Sequence, residues 1–143
     1  MTTSRVSVAS LIALTPEAEA ALDNRKEVHI RSLPFKVGRE SRTRVFDRVR
    51  TEMDRRLAGR PAVNNLYLLE PPAPLLHISR EHFLIDWVDG RFALFDRASA
   101  CGTIVSGKAI GGDSSTTCVE LRDGDTIVVG RHESPFVLQF RVI

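Results

Sequence analysis

The stretch FLIDWVDGRFALF, residues 83–95, decides the fold class of this chain. Two runs rich in aromatic and aliphatic residues, 83–88 and 91–95, flank the dipeptide Asp89-Gly90. Asp-Gly readily adopts the positive φ angles of a type I′ turn, whose twist suits two antiparallel strands. The stretch therefore predicts a tight β-hairpin.

The same alternation of short β-rich runs and turn residues occurs along most of the chain. Two more hairpins are predicted, at 104–105 with 108–110 and at 117–121 with 126–129. Single strands are predicted at 10–14, 28–31, 34–37 and 136–143. Many short strands at regular spacing predict an all-β fold, an antiparallel β-sandwich of about ten to eleven strands with one inserted helix or long loop.

One segment departs from the strand pattern. From Thr43 to Ala58, apolar residues recur at helical spacing, and Gly59 and Pro61 follow in the order that ends a helix. Eight arginines and four acids lie between positions 39 and 60. This basic segment predicts a helix or long loop, either packed on the sandwich, or forming a lid that selects acidic ligands, or contacting nucleic acid.

These boundaries predict one domain. We expect a flexible N-terminus over residues 1–9 and a sandwich over 10–143, with the insertion at 41–63.

Composition excludes several classes of protein. A net charge of +2 is too small to indicate nucleic-acid binding, and 43% hydrophobic residues indicate an ordinary globular domain. The apolar run from Val8 to Leu14 is too short to span a membrane and lacks a cleavage site. Two cysteines make no disulfide framework. We therefore expect a cytoplasmic protein without a membrane or nucleic-acid partner.

The stretch HISREHF, residues 77–83, holds the candidate chemistry. Ser79 and His82 suggest a nucleophile and its base, but no nucleophile-elbow context surrounds Ser79. His77 and His82 suggest metal ligands, but five-residue spacing on a strand places them on opposite faces. Ser79 and Arg80 suggest an anion site, since a hydroxyl and a guanidinium both donate to phosphate oxygens. We predict no enzyme activity, no metal and no cofactor.

Four fragments occur in a characteristic order: FKVGRE at 35–40, HISREHF at 77–83, DRASACGTIVSGKAI at 96–110 and LRDGDTIVVG at 121–130. Together they resemble the forkhead-associated (FHA) domain, a β-sandwich that recognises phosphothreonine. The resemblance runs from about Leu11 to Ile143, nearly the whole chain.

The resemblance implies a set of site residues. Arg39 matches the main phosphate ligand of the family, Ser79 matches the serine that donates to the phosphate, and Arg80 is a second cationic donor. His82 matches a structural histidine that braces the loops beneath the site. Gly38, Gly102 and Thr103 are expected to support the site, with Gly38 allowing a tight backbone turn beside Arg39.

Two positions depart from the family pattern. Ala100 lacks the hydroxyl of the usual threonine, and Cys101 replaces the asparagine that clamps the peptide backbone. The loss should cost on the order of 1–3 kcal/mol of binding free energy. Cys101 is either a plain loop residue or a redox-sensitive thiol.

The resemblance therefore implies a bacterial-type signalling adaptor whose partner is a phosphothreonine-containing protein, such as a Ser/Thr kinase or its substrate. The alternative is a phosphate-independent interaction or scaffold module with the same fold and a degenerate ligand site at Ala100 and Cys101.

Overall fold

A computed structural model of the chain describes residues 7–41 and 63–143. Two β-sheets pack face to face around one core, with a single short helix among the described residues. Most of the predicted insertion at 41–63, including the helix predicted at 43–58, lies outside the described residues, as does most of the predicted flexible N-terminus. Among the described residues, no helix is long and apolar enough to cross a bilayer.

The first sheet has six strands in the order β2-β1-β11-β10-β7-β8. Its strands are β1 (Ala9–Ala13), β2 (Glu27–Ile30), β7 (Thr103–Val105), β8 (Lys108–Ile110), β10 (Thr126–Val129) and β11 (Val137–Val142). The second sheet has five strands in the order β4-β3-β5-β6-β9. Its strands are β3 (Phe35–Arg39), β4 (Leu66–Leu68), β5 (Phe83–Val88), β6 (Arg91–Asp96) and β9 (Cys118–Glu120).

Alternate residues of both sheets face inward and form the core, as the period-two pattern of a half-buried strand requires. The largest fully buried side chains are aromatic or aliphatic and come from both sheets, among them Leu11, Phe83, Ile85, Leu94, Ile127 and Phe140. The predicted all-β sandwich is confirmed. It is not wholly antiparallel, because β4 pairs with β3 in parallel.

Two of the three predicted hairpins are confirmed. Asp89 and Gly90 between β5 and β6 both have positive φ angles, and so do Ser106 and Gly107 between β7 and β8. A type I′ turn requires positive φ at both central residues.

The third hairpin is wrong. β9 pairs with β6 in the second sheet, whereas β10 pairs with β7 and β11 in the first. At Asp123-Gly124 only the glycine has a positive φ angle, and its N–H donates to the Phe140 carbonyl at 2.7 Å. The chain therefore crosses between sheets at this turn and does not fold back on itself.

Sequence reasoning also missed α1 (Pro16–Ala21), a short helix between β1 and β2. Its N-cap is Thr15, whose hydroxyl accepts from the Ala18 N–H at 3.1 Å, and Pro16 occupies the first helical position. Ala18 and Ala21 are buried against the core. The helix lies at the end of the sandwich where β1 and β3 end.

Candidate functional site

The predicted site residues lie on loops at one end of the sandwich. The loop before β5 runs along the end of β3, where the Arg39 N–H donates to the Ser79 carbonyl at 2.9 Å and the His82 N–H donates to the Val37 carbonyl at 3.0 Å. The loop before β7, residues 97–102, meets the same end. The structure therefore brings together the fragments around Arg39, Ser79 and Cys101.

Gly38 is required by close packing. A Cβ at this position would overlap the Arg80 carbonyl oxygen and would lie 2.7 Å from both the Arg80 carbonyl carbon and the Asn64 amide nitrogen. Gly38 lies within β3, and its φ angle is not positive. The expected tight turn at Gly38 is therefore wrong, and the glycine instead allows the Arg80 backbone to approach the strand.

Ser79 has its hydroxyl oriented by the neighbouring loop. Its Oγ accepts a hydrogen bond from the Ala100 N–H at 2.9 Å, and the side chain is only half-buried. No acceptor for the hydroxyl proton lies within residues 7–41 and 63–143. The Ser79 hydroxyl can therefore donate to a ligand while its oxygen stays fixed.

The two arginines differ in their surroundings. The Arg39 Nε donates to the Ile78 carbonyl at 2.9 Å, which holds the guanidinium beside the Ser79 loop. Arg80 is exposed, and its guanidinium forms no ion pair with any described residue. Its own backbone carbonyl accepts from the Asn64 side chain at 2.8 Å. Two residues next to the Ser79 backbone, Arg39 and Arg80, therefore carry guanidinium groups.

His82 joins the two loops beneath the site. Its Nδ1 accepts the Ser79 N–H at 2.9 Å, so its Nε2 carries the proton and donates to the Gly102 carbonyl at 2.7 Å. Burial lowers the pKa of His82, against smaller raising effects from the Gly102 hydrogen bond and the charges of Asp96 and Glu70. The buried ring is therefore neutral at physiological pH.

The arrangement of His82 is not that of a catalytic base. One ring nitrogen accepts from the backbone N–H of Ser79 and the other donates to a carbonyl, so neither is placed to take the Ser79 hydroxyl proton. His77 packs its ring against Phe136, 6.0 Å away between centroids. In the part of the chain that the structure describes, no three potential metal-ligating side chains come together.

The loop from Ser99 to Gly102 is held by Asp96. The Asp96 carboxylate accepts from the backbone and the hydroxyl of Ser99, and the Ser99 Oγ in turn accepts the Gly102 N–H at 3.1 Å. Gly102 has φ +77°, and a Cβ there would lie 2.8 Å from the Ile110 carbonyl oxygen. The loop thus has a fixed shape that requires glycine at position 102.

Ala100 and Cys101 lie on the outer side of this loop. Ala100 is exposed and contributes its N–H to Ser79. Cys101 is half-buried, and its thiol lies 3.5 Å from the Leu76 carbonyl. Thr103 is buried, but its hydroxyl has no partner among the described residues. The Thr103 side chain therefore serves to fill this buried position, and its hydroxyl group makes no hydrogen bond to a described residue.

Three residues that position the loops were missed from the sequence. The Glu70 carboxylate accepts the N–H groups of His77 and Ile78 at 2.8 and 2.9 Å. Asn64 and Arg97 bond to each other, and Arg97 also donates to the Val63 carbonyl and pairs with Glu81 at 2.9 Å.

The chain is similar to known proteins in sequence and in structure. A family model described as "FHA domain" matches residues 57–130, just over half of the chain. No curated protein sequence matches.

Solved structures of low sequence identity share the fold. The solution structure of the FHA domain of a hypothetical protein from Arabidopsis thaliana has a TM-score of 0.61 at 17% identity, covering 100% of this chain and 92% of that one. EmbR from Mycobacterium tuberculosis, solved with a low-affinity phosphopeptide, has a TM-score of 0.54 at 18% identity, covering 99% of this chain and 26% of that one. A structure from an analysis of phosphothreonine-dependent FHA domain interactions has a TM-score of 0.53 at 17% identity, covering 96% and 98%.

Proposed function

The chain belongs to the FHA domain family, and on that premise we propose that it recognises phosphothreonine-containing segments of partner proteins without catalysing a reaction. Two of its structural relatives point the same way, because one was solved with a phosphopeptide and another comes from work on phosphothreonine-dependent interactions. The proposed partner is a phosphoprotein such as a Ser/Thr kinase or its substrate.

One observation carries the proposal. The Arg39 guanidinium is fixed at the carbonyl of Ile78, the residue before Ser79, and the Ser79 hydroxyl is oriented by the Ala100 N–H. A phosphothreonine brings a charge near −2 and three acceptor oxygens. A guanidinium and a hydroxyl proton at neighbouring positions satisfy these acceptors, and charge-assisted hydrogen bonds of this kind are the strong ones. The exposed Arg80 adds a second cation at the rim.

The supporting residues have a common task in this proposal. Gly38, His82 and Gly102 fix the two loops relative to β3, so the phosphate-binding groups are held before the ligand arrives. Preorganisation of this kind increases affinity because less conformational entropy is lost on binding. Thr103 fills the buried position after Gly102.

A second candidate function rests on the loop at 99–103. Ala100 has no hydroxyl, and the Cys101 thiol is a weak donor and acceptor that already contacts the Leu76 carbonyl. A domain that keeps the FHA fold but binds its partner through other surfaces, without phosphate, would tolerate both residues. This alternative is a phosphate-independent interaction or scaffold module.

Titration calorimetry with matched peptide pools separates the two functions. The pools carry degenerate residues around a central phosphothreonine, phosphoserine or unmodified threonine. The first function predicts heat of binding with the phosphothreonine pool and at least about tenfold weaker binding with the other two. Equal binding of the phosphorylated and unmodified pools would favour the scaffold module.

A further inference from the structure

A groove of about 930 Å³ lies beside the proposed phosphate site, between α1 and the proline-rich segment 69–77. Its lining includes Ala20 on the helix, Leu69 and Leu75 on the segment, and Phe136. Leu75 is 80% exposed, whereas Phe136 is buried. A groove lined by apolar residues, with a large aliphatic side chain exposed to solvent, is typical of a surface that binds another chain.

Hydrogen bonds hold both walls of the groove in place. The Leu69 N–H donates to the Ala21 carbonyl at 2.9 Å, which ties the segment to the last residue of α1. At the other end of the segment, the Glu70 carboxylate accepts the N–H groups of His77 and Ile78. The groove is therefore formed without a ligand, and binding need not order its walls.

The charge of the groove is negative. Among the residues that the structure describes, its lining includes four acids, Glu17, Asp23, Glu40 and Glu70, and no lysine or arginine. Glu17 and Asp23 are exposed and form no ion pair with any described residue. Because the whole chain has a net charge of +2, this acidic lining is a local feature.

We propose that this groove binds a segment of a partner protein in which apolar side chains are flanked by lysine or arginine. The apolar side chains bury Leu69 and Leu75, and the cations pair with Glu17 and Asp23 at the rim. Complementary charge directs such a segment and disfavours an acidic one. The inference goes beyond phosphothreonine recognition, because the proposed segment binds the acidic groove without a phosphate group.

Residues that line the groove are close in the sequence to residues of the proposed phosphate site. Glu40 directly follows Arg39, and His77 lies two residues before Ser79. A partner that carries a phosphothreonine and a basic apolar segment could therefore occupy both surfaces together, with a gain in affinity from the linkage.

The test uses the full chain and short unphosphorylated peptides, so a failure of phosphothreonine recognition does not affect it. One pool alternates leucine or phenylalanine with lysine, and the matched pool has glutamate in place of each lysine. By fluorescence anisotropy we expect the lysine pool to bind at least about tenfold more tightly than the glutamate pool. Leu75→Asp and the double substitution Glu17→Lys with Asp23→Lys should each weaken binding of the lysine pool by about tenfold, whereas Glu133→Lys, an exposed acid outside the groove, should not.

Three results would overturn the proposal. The first is equal affinity for the two pools, and the second is a lysine-pool affinity that Leu75→Asp and the double substitution leave unchanged. The third is no binding of the lysine pool by the full chain.

Discussion

Gly38 and the backbone of Arg80 are packed more closely than any side chain at position 38 would permit. The Arg80 carbonyl lies where a Cβ would stand, and the same carbonyl accepts from the Asn64 amide at 2.8 Å. Because Arg80 follows Ser79, this contact sets the distance between the end of β3 and the proposed phosphate-binding loop. A glycine within a strand here marks a close approach of two backbone segments.

Gly38→Ala should therefore damage both stability and ligand binding. Overpacking of this kind costs about 1–3 kcal/mol of unfolding free energy, and relief of the clash requires the Ser79 loop to move away from Arg39. Urea unfolding and calorimetry with the phosphothreonine pool measure the two effects.

Gly90→Ala is the matched control. Gly90 has φ +80° with no atom within 4 Å of a Cβ, and its turn lies at the opposite end of β5 from His82. The substitution should cost about 1–2 kcal/mol from backbone strain and leave peptide affinity unchanged. If Gly38→Ala changed affinity no more than Gly90→Ala does, the close approach would not position the loop.

Arg39→Ala should abolish detectable binding of the phosphothreonine pool. Hydrogen bonds to charged groups contribute about 1.5–3 kcal/mol each, and the guanidinium would offer more than one of them to the phosphate. Arg91→Ala, which removes an exposed arginine at the far end of β6, is the control for net charge. Calorimetry on both variants at equal ionic strength decides; retained affinity in Arg39→Ala would rule out Arg39 as the main phosphate ligand.

The parts of the fold that could be predicted are those with local causes. The hairpin at 83–96 followed from Asp89-Gly90, because the turn residues themselves impose the reversal. The turn at Asp123-Gly124 looks the same in sequence, yet Leu121 bonds to Phe92 in one sheet and Gly124 to Phe140 in the other. Which strand a neighbour pairs with depends on tertiary packing, and a local pattern does not contain it.

The helix α1 was missed for a different reason. Thr15 followed by Pro16 and Glu17 is a helix-start signal that the sequence displays openly. The helix is only six residues long, so no apolar periodicity of several turns accompanies it.

The candidate site divides in the same way. Ser79 and Arg80 were predicted from their side chains and from a resemblance to a family, Arg39 from the resemblance, and the structure places all three around one loop. Glu70 and Arg97 act through bonds to backbone groups and side chains distant in the sequence. Such bonds produce no periodicity and no motif, so only a structure finds them.

Cys101→Asn should strengthen phosphopeptide binding. An amide both donates and accepts, and it would offer the peptide backbone the hydrogen bonds that a thiol makes poorly. A gain of about 1–2 kcal/mol, roughly fivefold to thirtyfold in affinity, is expected. Cys118→Asn changes the other free cysteine, which is exposed on β9, and should leave affinity unchanged. No gain for Cys101→Asn by calorimetry would contradict the clamp argument.

Thr103→Val should leave the protein as stable as before or stabilise it by about 1 kcal/mol. The Thr103 hydroxyl is buried without a partner among the described residues, and valine keeps the shape while removing the desolvated oxygen. Thr126→Val, at a half-buried position of β10, is the control with which the change in stability is compared. A loss of more than about 1 kcal/mol in urea unfolding for Thr103→Val would mean that the hydroxyl has an essential partner.

Stability should fall below about pH 6.5 because of His82. Burial holds its pKa below the ordinary value of 6.5, so in the window between the two values the unfolded chain binds a proton that the folded chain does not. The free energy of unfolding is then full above the unfolded pKa and declines as the pH falls toward the folded one, by at most about 1.4 kcal/mol per pH unit. Protonation of Nδ1 in the folded chain would also break the bond from the Ser79 N–H, so phosphopeptide affinity should fall at the lower pH at which the folded ring itself titrates. Urea unfolding between about pH 7.5 and 5.5 measures the stability, and NMR titration of the His82 ring measures its pKa in the folded chain. A ring that titrates at or above pH 6.5 would contradict the assignment of His82 as a buried, neutral link between the two loops.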